Sequence, residues 1–346
     1  MSAARSRGFS LVELMVTIAV ALLLLVGIAR VFITSKQSYR VQESTSRMQE
    51  NIRITSDYFN RHLRLADFWG GVPASNVTVI GTPLYKGPGS CENSWIANPM
   101  AGIVGYTGAA PDPAGAVSDC FDDYNYVANS DVIAIRYANP DIYVNTAALS
   151  SGAGALLDYG RLYVRTKVGR DARLFDAGAS SQTPTPLNAA IAAVAGDAAE
   201  GVFNYQFQNV VFFVQNVNYG NGPVPTLSML RLTEADLRPD PLVDGIEMLA
   251  FTFGLDTNDD LQVDSYREAA AIAVTDWHQV LSVRVSFVAR GDELDNVVDT
   301  AQYAMTATRC YGPTTSACPM TYSAAAARYQ RRLVIQEIQL RNRVRG

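Results

Sequence analysis

The stretch Gly8-Phe9-Ser10-Leu11-Val12-Glu13 opens an apolar run that continues to Ile33 and decides the fold of this 346-residue chain. Residues 1–8 before it are short, polar and basic, with Arg5 and Arg7 among them. A helix rises about 1.5 Å per residue, so about 20 apolar residues cross the hydrocarbon core of a membrane. The run is therefore long enough to span. The two arginines predict that residues 1–8 stay in the cytoplasm while the rest of the chain lies outside.

Glu13 decides between the interpretations of this segment. A secretory signal peptide fits poorly, because the apolar run is long and no small-residue cleavage site follows it. A plain signal anchor leaves Glu13 unexplained. An acidic side chain costs on the order of 2.5–3.5 kcal/mol at mid-bilayer, and less near the interface. Such a residue usually has a partner.

A third interpretation supplies that partner. Residues 8–13 resemble the prepilin cleavage motif of type IV pilins and type II secretion pseudopilins. The resemblance implies cleavage by a prepilin peptidase between Gly8 and Phe9, followed by N-methylation of Phe9. Glu13 then lies four residues after the new terminus. In a fibre, its carboxylate can neutralise the terminal amine of a neighbouring subunit in a core of low dielectric constant.

The sequence after the span predicts that the helix continues. No proline occurs before Pro73, and Gly70-Gly71 with Pro73 predicts an end at residue 69. An apolar stripe follows the helical period, at Val41, Thr45, Met48, Ile52, Thr55 and Phe59. The stripe predicts packing on the chain's own head, with the other face left for neighbouring subunits.

The remainder of the chain predicts a β-rich head. Residues 72–130 are rich in glycine, proline, asparagine and aspartate and indicate a long loop region. Residues 131–137, 160–165 and 210–217 indicate strands, and residues 187–199 a short helix or a linker. The fold class is therefore α+β: a long N-terminal helix, transmembrane and then amphipathic, packed on a β-rich periplasmic head in the manner of a pilin.

A second resemblance covers both ends of the chain. Residues 38–42, 242–256, 280–287 and 331–343 together resemble PilW-type minor pilins of Gram-negative bacteria. Within them, Ile246 to Phe253 suggests a short helical turn that leads into a strand, and residues 282–287 alternate as in a half-buried strand. The basic stretch 331–345 suggests a solvated strand edge, where charge discourages edge pairing.

Four cysteines, Cys91, Cys120, Cys310 and Cys318, allow three pairings. The pairing of sequence neighbours, Cys91–Cys120 and Cys310–Cys318, is the simplest, and it requires an oxidising compartment such as the periplasm. Four reduced cysteines remain the alternative. A zinc site is improbable because no CxxC pair occurs and the chain has only two histidines.

A calcium ion is the one candidate ligand in this sequence. Asp256, Asn258 and Asp260 alternate as in the start of a calcium loop, and Gln262 and Asp264 extend the set. Leu261 stands where such loops need glycine, and Arg267 where a bidentate glutamate would close an EF-hand. The alternative is an acidic β-hairpin turn.

Enzyme and nucleic-acid functions find no support. The chain contains no HExxH, GxSxG, P-loop or dinucleotide-binding motif, and His62 and His278 are interpreted as packing or surface residues. A formal net charge of −5 gives no broad positive field for phosphates.

These observations predict a leader at 1–8, a transmembrane assembly helix at 9–33, an amphipathic continuation at 34–69 and a periplasmic head at 70–346. The resemblances imply a minor pilin of the inner membrane that becomes part of the pilus and helps to initiate its assembly, at or near the tip. The implied partners are other minor pilins, the major pilin and a prepilin peptidase. A type II secretion pseudopilin and a membrane-tethered adhesin or binding module are the alternatives.

Overall fold

A single long helix, α1 (Leu11–Leu65), precedes a β-rich head in the computed structural model. The structure describes residues 10–80, 93–109, 121, 124–145, 161–167, 169–176, 202–220, 222–233 and 237–343. α1 begins with a capping box, in which the backbone N–H of Ser10 donates to the Glu13 carboxylate (3.1 Å). The predicted α+β class is confirmed.

The helix ends at Leu65, earlier than the glycine pair predicted. Asp67 adopts a left-handed φ of 62° and turns the chain away before Gly70 and Gly71 are reached. Gly70 has a packing role instead, because a Cβ there would lie 2.3 Å from the methyl carbon of Thr166.

The head contains fifteen strands and a short second helix among the described residues. In chain order they are β1 (Val77–Val79), α2 (Asn93–Ile96), β2 (Ile103–Tyr106), β3 (Val132–Asn145), β4 (Leu162–Lys167), β5 (Asp171–Asp176), β6 (Val202–Asn218), β7 (Pro223–Leu232), β8 (Leu237–Asp244), β9 (Ile246–Leu255), β10 (Ser265–Glu268), β11 (Val280–Leu294), β12 (Tyr303–Ala304), β13 (Cys310–Pro313), β14 (Met320–Tyr322) and β15 (Tyr329–Gln339).

The sequence-predicted strands lie in these elements, and two other predictions need correction. Residues 131–137, 160–165 and 210–217 fall in or beside β3, β4 and β6, which run on beyond them. The expected loop at 72–130 is not wholly irregular, since β1, α2 and β2 lie within it. Residues 187–199 lie outside the described residues.

The largest sheet has eight strands and is organised by β6. One edge of β6 pairs with β3, and its other edge pairs with β4 near its start and with β7 near its end. β5 and β1 continue the sheet beyond β4, and β8 lies beyond β7. This sheet forms one wall of the main core.

A second sheet, in the order β10-β9-β11-β15, forms the opposite wall. The helical turn expected at Ile246 is wrong, because β9 is extended throughout. Nearly every side chain of β9 is buried, since both of its faces are covered. A strand buried on both faces loses the alternation that marks a strand in a sequence.

A small third sheet, β12-β13-β14, covers the outer face of the second sheet. Met248, Ala250 and Val288 of the second sheet pack there against Tyr311 and Tyr322. A disulfide in this third sheet joins Cys310 to Cys318, which are eight residues apart in sequence. Cys91 and Cys120 lie outside the described residues.

The main core lies between the two large sheets and the second half of α1. Phe59 has no exposed surface, and its ring lies 5.0 Å from that of Phe212 and 5.9 Å from that of Phe251, one from each sheet. Met48 and Thr55 of the predicted stripe are also buried, and Val41, Thr45 and Ile52 are half-buried. The stripe packs on the chain's own head, as the sequence predicted.

Candidate functional site

The first half of α1 is exposed along its whole length. From residue 11 to residue 33 every side chain is exposed, including Leu23 (74%) and Phe32 (68%). By length and composition, this is the one helix among the described residues that could cross a membrane. A continuous apolar surface of this size marks contact with lipid or protein.

Glu13 is the only acidic residue of this half. Its carboxylate accepts from the N–H of Ser10 at 3.1 Å, so it lies against the first turn of the helix. The hydroxyl of Thr17 is satisfied locally, by the carbonyl of Glu13 (2.6 Å). Gly8 and Phe9, the two residues of the expected cleavage site, lie outside the described residues. Glu13 follows Phe9 by four residues in the sequence.

The second half of α1 carries charge on its outward face. Arg47 pairs with Glu43 and Asp292, while Arg53 pairs with Glu50 (2.6 Å) and Asp57 (3.3 Å). These side chains are mostly exposed, and such pairs contribute little to stability. The outward face is thus solvated and nearly neutral, unlike the apolar surface below it.

The end of α1 is held by the end of the chain. The amide of Asn342 donates to the carbonyls of Ala66 (2.9 Å) and Arg64 (3.3 Å) and caps the last turn. Arg343 pairs with Asp67 at 2.7 Å. The side chain of Arg343 is buried, as is that of Arg331, so the expectation of a solvated basic edge is wrong for these two residues.

His62 is a buried packing residue. Its Nδ1 lies 3.0 Å from the hydroxyl of Tyr137 on β3. Burial, with a smaller effect from Arg61, lowers the pKa of His62 to about 4. The ring is therefore neutral near pH 7, and Nδ1 is free to accept from Tyr137. His278 is exposed, and its Nδ1 lies 2.7 Å from the carbonyl of Thr275.

Sequence reasoning missed a buried ionic cluster. Arg331 on β15 binds Glu247 on β9 through two bonds of 2.6 and 3.1 Å, and Asp299 through a third of 3.2 Å. Its guanidinium carbon lies 3.8 Å from the centre of the Tyr322 ring. Glu247 is a lone charge in the apolar run of β9, which was the available signal; Arg331 stands among other arginines and gave none. The cluster joins the small third sheet to the second sheet.

A second buried pair ties the first sheet to the second. Asp131 bonds to Arg309 and accepts from the N–H of Phe251 (2.9 Å) and of Gly108 (2.8 Å). Burial raises the pKa of Asp131, and Arg309 opposes that effect. Every contact named here joins elements of the head, so the pair is structural.

The predicted calcium ligands fold into one turn after β9. Asp256 is buried, and its carboxylate accepts from the N–H groups of Asn258 (3.2 Å), Asp260 (3.2 Å) and Leu261 (2.7 Å). Asp264 accepts from Thr257, and Asp260 accepts from the N–H of Gln262 (2.8 Å). Within the described part of the chain, no group of three or more acidic, histidine or cysteine side chains is placed to hold a metal. Calcium binding stays a prediction, and the turn is satisfied by its own backbone.

The distal end of the head, level with the end of α1, has a cleft of about 570 Å³. Trp95, Tyr106 and Trp277 line it, and the indole N–H of Trp95 donates to the Tyr106 hydroxyl (2.9 Å). The buried guanidinium of Arg136 stacks on Trp95 at 4.7 Å and donates to the carbonyls of Trp95, Ile96 and Ala101. The arginine therefore holds the wall of the cleft together.

Two family models match this arrangement. The prokaryotic N-terminal methylation motif matches residues 3–29, which contain the expected cleavage site and most of the exposed segment 11–33. The type IV pilus-assembly protein W family matches residues 211–342, from β6 through the ionic cluster to the helix cap. Over these two stretches the chain is similar to PilW-type minor pilins of type IV pili.

Other comparisons add little. A solved type IV-like pilin from Thermus thermophilus, TTHA1219, aligns with 86% of this chain and 98% of its own, at 8% identity and a TM-score of 0.29. A likeness at that score supports no conclusion about the fold. No curated protein matches the chain.

Proposed function

We propose that this chain is a minor pilin that takes part in initiating type IV pilus assembly, at or near the tip of the fibre, with other minor pilins and the major pilin. The observation that supports the proposal is the contrast along α1. The head closes its own core, yet none of the described residues covers the apolar surface of residues 11–33. A surface of that kind must be covered by lipid before assembly and by other helices after it.

The N-terminal residues carry the assembly chemistry in this proposal. A prepilin peptidase cuts between Gly8 and Phe9, and Phe9 becomes the methylated terminus. The terminal amine is a cation at a helix N-terminus, where a positive charge is unfavourable unless it is neutralised. Glu13 of a neighbouring subunit neutralises it within the fibre and thereby fixes the register between helices.

The proposed topology follows from charge. Arg5 and Arg7 hold residues 1–8 in the cytoplasm, α1 spans the inner membrane, and the head lies in the periplasm. Oxidation of Cys310 and Cys318 fits that compartment. The role is structural rather than catalytic, as expected of the two families that match.

Glu13→Ala tests the registry role. We expect the variant to insert into the inner membrane as well as the wild type, because removing a charge from the span favours insertion. Fibre number should fall, by about tenfold if the pair contributes about 1.4 kcal/mol. Membrane flotation and counts of fibres by electron microscopy measure the two effects.

Glu43→Ala is the matched control, since Glu43 is a glutamate on the same helix above the span, paired only with exposed Arg47. It should leave fibre number unchanged. Wild-type piliation of Glu13→Ala would exclude the registry role. A gold-labelled tag on the head tests the position: label along the fibre shaft, rather than at its ends, would contradict a place at the tip.

A further inference from the structure

A short loop at the base of the head has a character unlike the rest of the head surface. This basal loop, residues 292–299, starts with the last three residues of β11 and lies on α1 where the head begins. The Ser44 hydroxyl accepts from the N–H groups of Asp292 (3.0 Å) and Glu293 (3.3 Å), and Arg47 pairs with Asp292 at 2.8 Å. Ser44 is the first fully buried residue of the helix. The loop is thus fixed at the membrane-proximal end of the head.

The basal loop exposes apolar side chains side by side. Val297 is 71% exposed, Val298 56% and Leu294 46%. Two adjacent exposed valines in a loop held by hydrogen bonds gain nothing for the fold, because their surface stays in water. An exposed apolar group of this kind indicates a contact with another molecule.

The same loop is acidic. It holds Asp292, Glu293, Asp295 and Asp299, and no basic residue. Arg47 neutralises Asp292 and Arg331 neutralises Asp299. Asp295 accepts from the Gln330 amide (2.8 Å), which lowers the pKa of Asp295 and keeps it charged. Glu293 is exposed. Arg328 borders the loop, donating to the backbone carbonyl of Asp295 (2.8 Å), and offsets part of the charge of Asp295. The surface therefore combines apolar groups with the negative charge of Glu293 and a partly balanced Asp295.

A lipid surface fits this loop poorly. Eleven residues separate Ile33, the end of the apolar run, from Ser44, which at about 1.5 Å per residue places the loop about 16 Å beyond the span. Anionic head groups would also repel the acidic side chains. A partner with basic and apolar groups at that height is required.

The part of α1 just beyond the membrane span carries both basic and apolar side chains. Between Glu13 and Glu43 its only charges are Arg30, Lys36 and Arg40, and Phe32 and Tyr39 are exposed among them. Two parallel helices shifted along their axes by about 13 Å bring residue 36 of one level with residue 45 of the other. Residues 30–40 of a staggered neighbour would then lie beside the basal loop.

We propose that the basal loop docks the membrane-exit segment of a neighbouring pilin helix, a stretch of basic and apolar residues equivalent to 30–40 of this chain. The contact rests on the proposed function, because it needs a second pilin beside this one. Val297 and Val298 cover the apolar groups of that segment, while Glu293 and Asp295 face its basic residues.

Photo-crosslinking in cells tests the contact on the full chain. A photoreactive benzoylphenylalanine at Val297 should give an adduct whose mass spectrum maps to the basic exit segment of another pilin subunit. The same probe at Val274 is the matched control, since Val274 is 91% exposed but lies by the distal cleft. Glu293→Lys should lower the Val297 adduct several-fold. Asp57→Lys, a charge reversal on the outward face of α1, should leave the adduct unchanged.

Three outcomes would overturn the docking: equal adducts from both probe sites, an adduct to lipid or to a protein other than a pilin helix, or an adduct insensitive to Glu293→Lys. Fibre counts separate this proposal from the assembly role. A missing adduct in cells whose fibres depend on this chain overturns the docking alone. An adduct to a pilin in cells whose fibres do not depend on it overturns the assembly role alone.

Discussion

The two halves of α1 are one continuous helix, yet they differ in where their partners come from. Residues 11–33 bury nothing inside the chain, while residues 44–65 pack a stripe of side chains between two sheets. Propensity does not separate the halves, since neither contains proline and the helix runs unbroken through both. The difference lies in what surrounds them. A substitution in the second half should change the stability of the head, and one in the first half should change assembly only.

Among these substitutions, Phe59→Ala in the second half of α1 should have the largest effect on the stability of the head. The ring is fully buried between the two sheets, so its loss should cost about 3–5 kcal/mol of unfolding free energy. Urea titration in detergent micelles, followed by the fluorescence of Trp69, Trp95 and Trp277, measures it.

Leu23→Ala is the control in the bare half, where the side chain is 74% exposed. It should leave that titration unchanged. Equal effects from Phe59→Ala and Leu23→Ala would mean that the halves are not energetically distinct.

Acid should weaken the second half through His62. Its pKa is about 4 in the folded chain and 6.5 as the ordinary value, so the unfolded chain binds a proton first as the pH falls. The contribution of His62 to stability is complete above pH 6.5 and declines towards pH 4, by about 2 kcal/mol at pH 5. Urea titrations between pH 7 and 5 measure the slope.

His62→Phe removes the titrating group and keeps a ring in the cavity. The variant will be less stable because Tyr137 loses its acceptor. The dependence on pH should nevertheless flatten over this range relative to the wild type. A wild-type slope in the variant would assign the acid sensitivity to other groups.

Asn342→Ala should have a smaller effect, about 1 kcal/mol, because it removes two hydrogen bonds from the last carbonyls of α1. Asn342→Asp should cost more, since it places a negative charge beside the C-terminus of a helix. Thermal unfolding of both variants gives the order. The reverse order would show that the amide is not acting as a cap.

Arg53→Ala should have the smallest effect, with no measurable change in unfolding. Its partners Glu50 and Asp57 lie on the outward face, and all three side chains are more than half exposed. A clear loss of stability would show that this face is covered by the head after all.

The helix and its stripe could be predicted because a period of 3.6 residues and the absence of proline are local properties. The end at Leu65 could not be predicted, since it depends on Asp67 and on Asn342, which is 276 residues from Ala66. β9 was misinterpreted for a similar reason. Its second covering layer comes from β12 to β14, later in the chain.

The assembly roles of Gly8, Phe9 and Glu13 stay a prediction, which the sequence could make because the three residues belong to one short motif. The ionic cluster of Glu247, Arg331 and Asp299 was not found, since its members are far apart and each alone resembles a surface charge. A lone charge within an apolar strand, such as Glu247 in β9, is the pattern to search for in such sequences, because a buried charge needs a partner of opposite sign.

The hydrogen bonds from Asn342 to the end of α1 also bear on how the chain folds during its synthesis, because α1 can be capped only after Asn342 has been made. A ribosome releases α1 before the capping residues, so the helix exists before the walls that cover Phe59. β15 pairs with β11 and carries Arg331, and it too comes at the end. The newborn chain therefore keeps one edge of β11 unpaired and the end of α1 uncapped until β15 and Asn342 emerge, and truncation just before Tyr329 should leave both open to proteases and to aggregation.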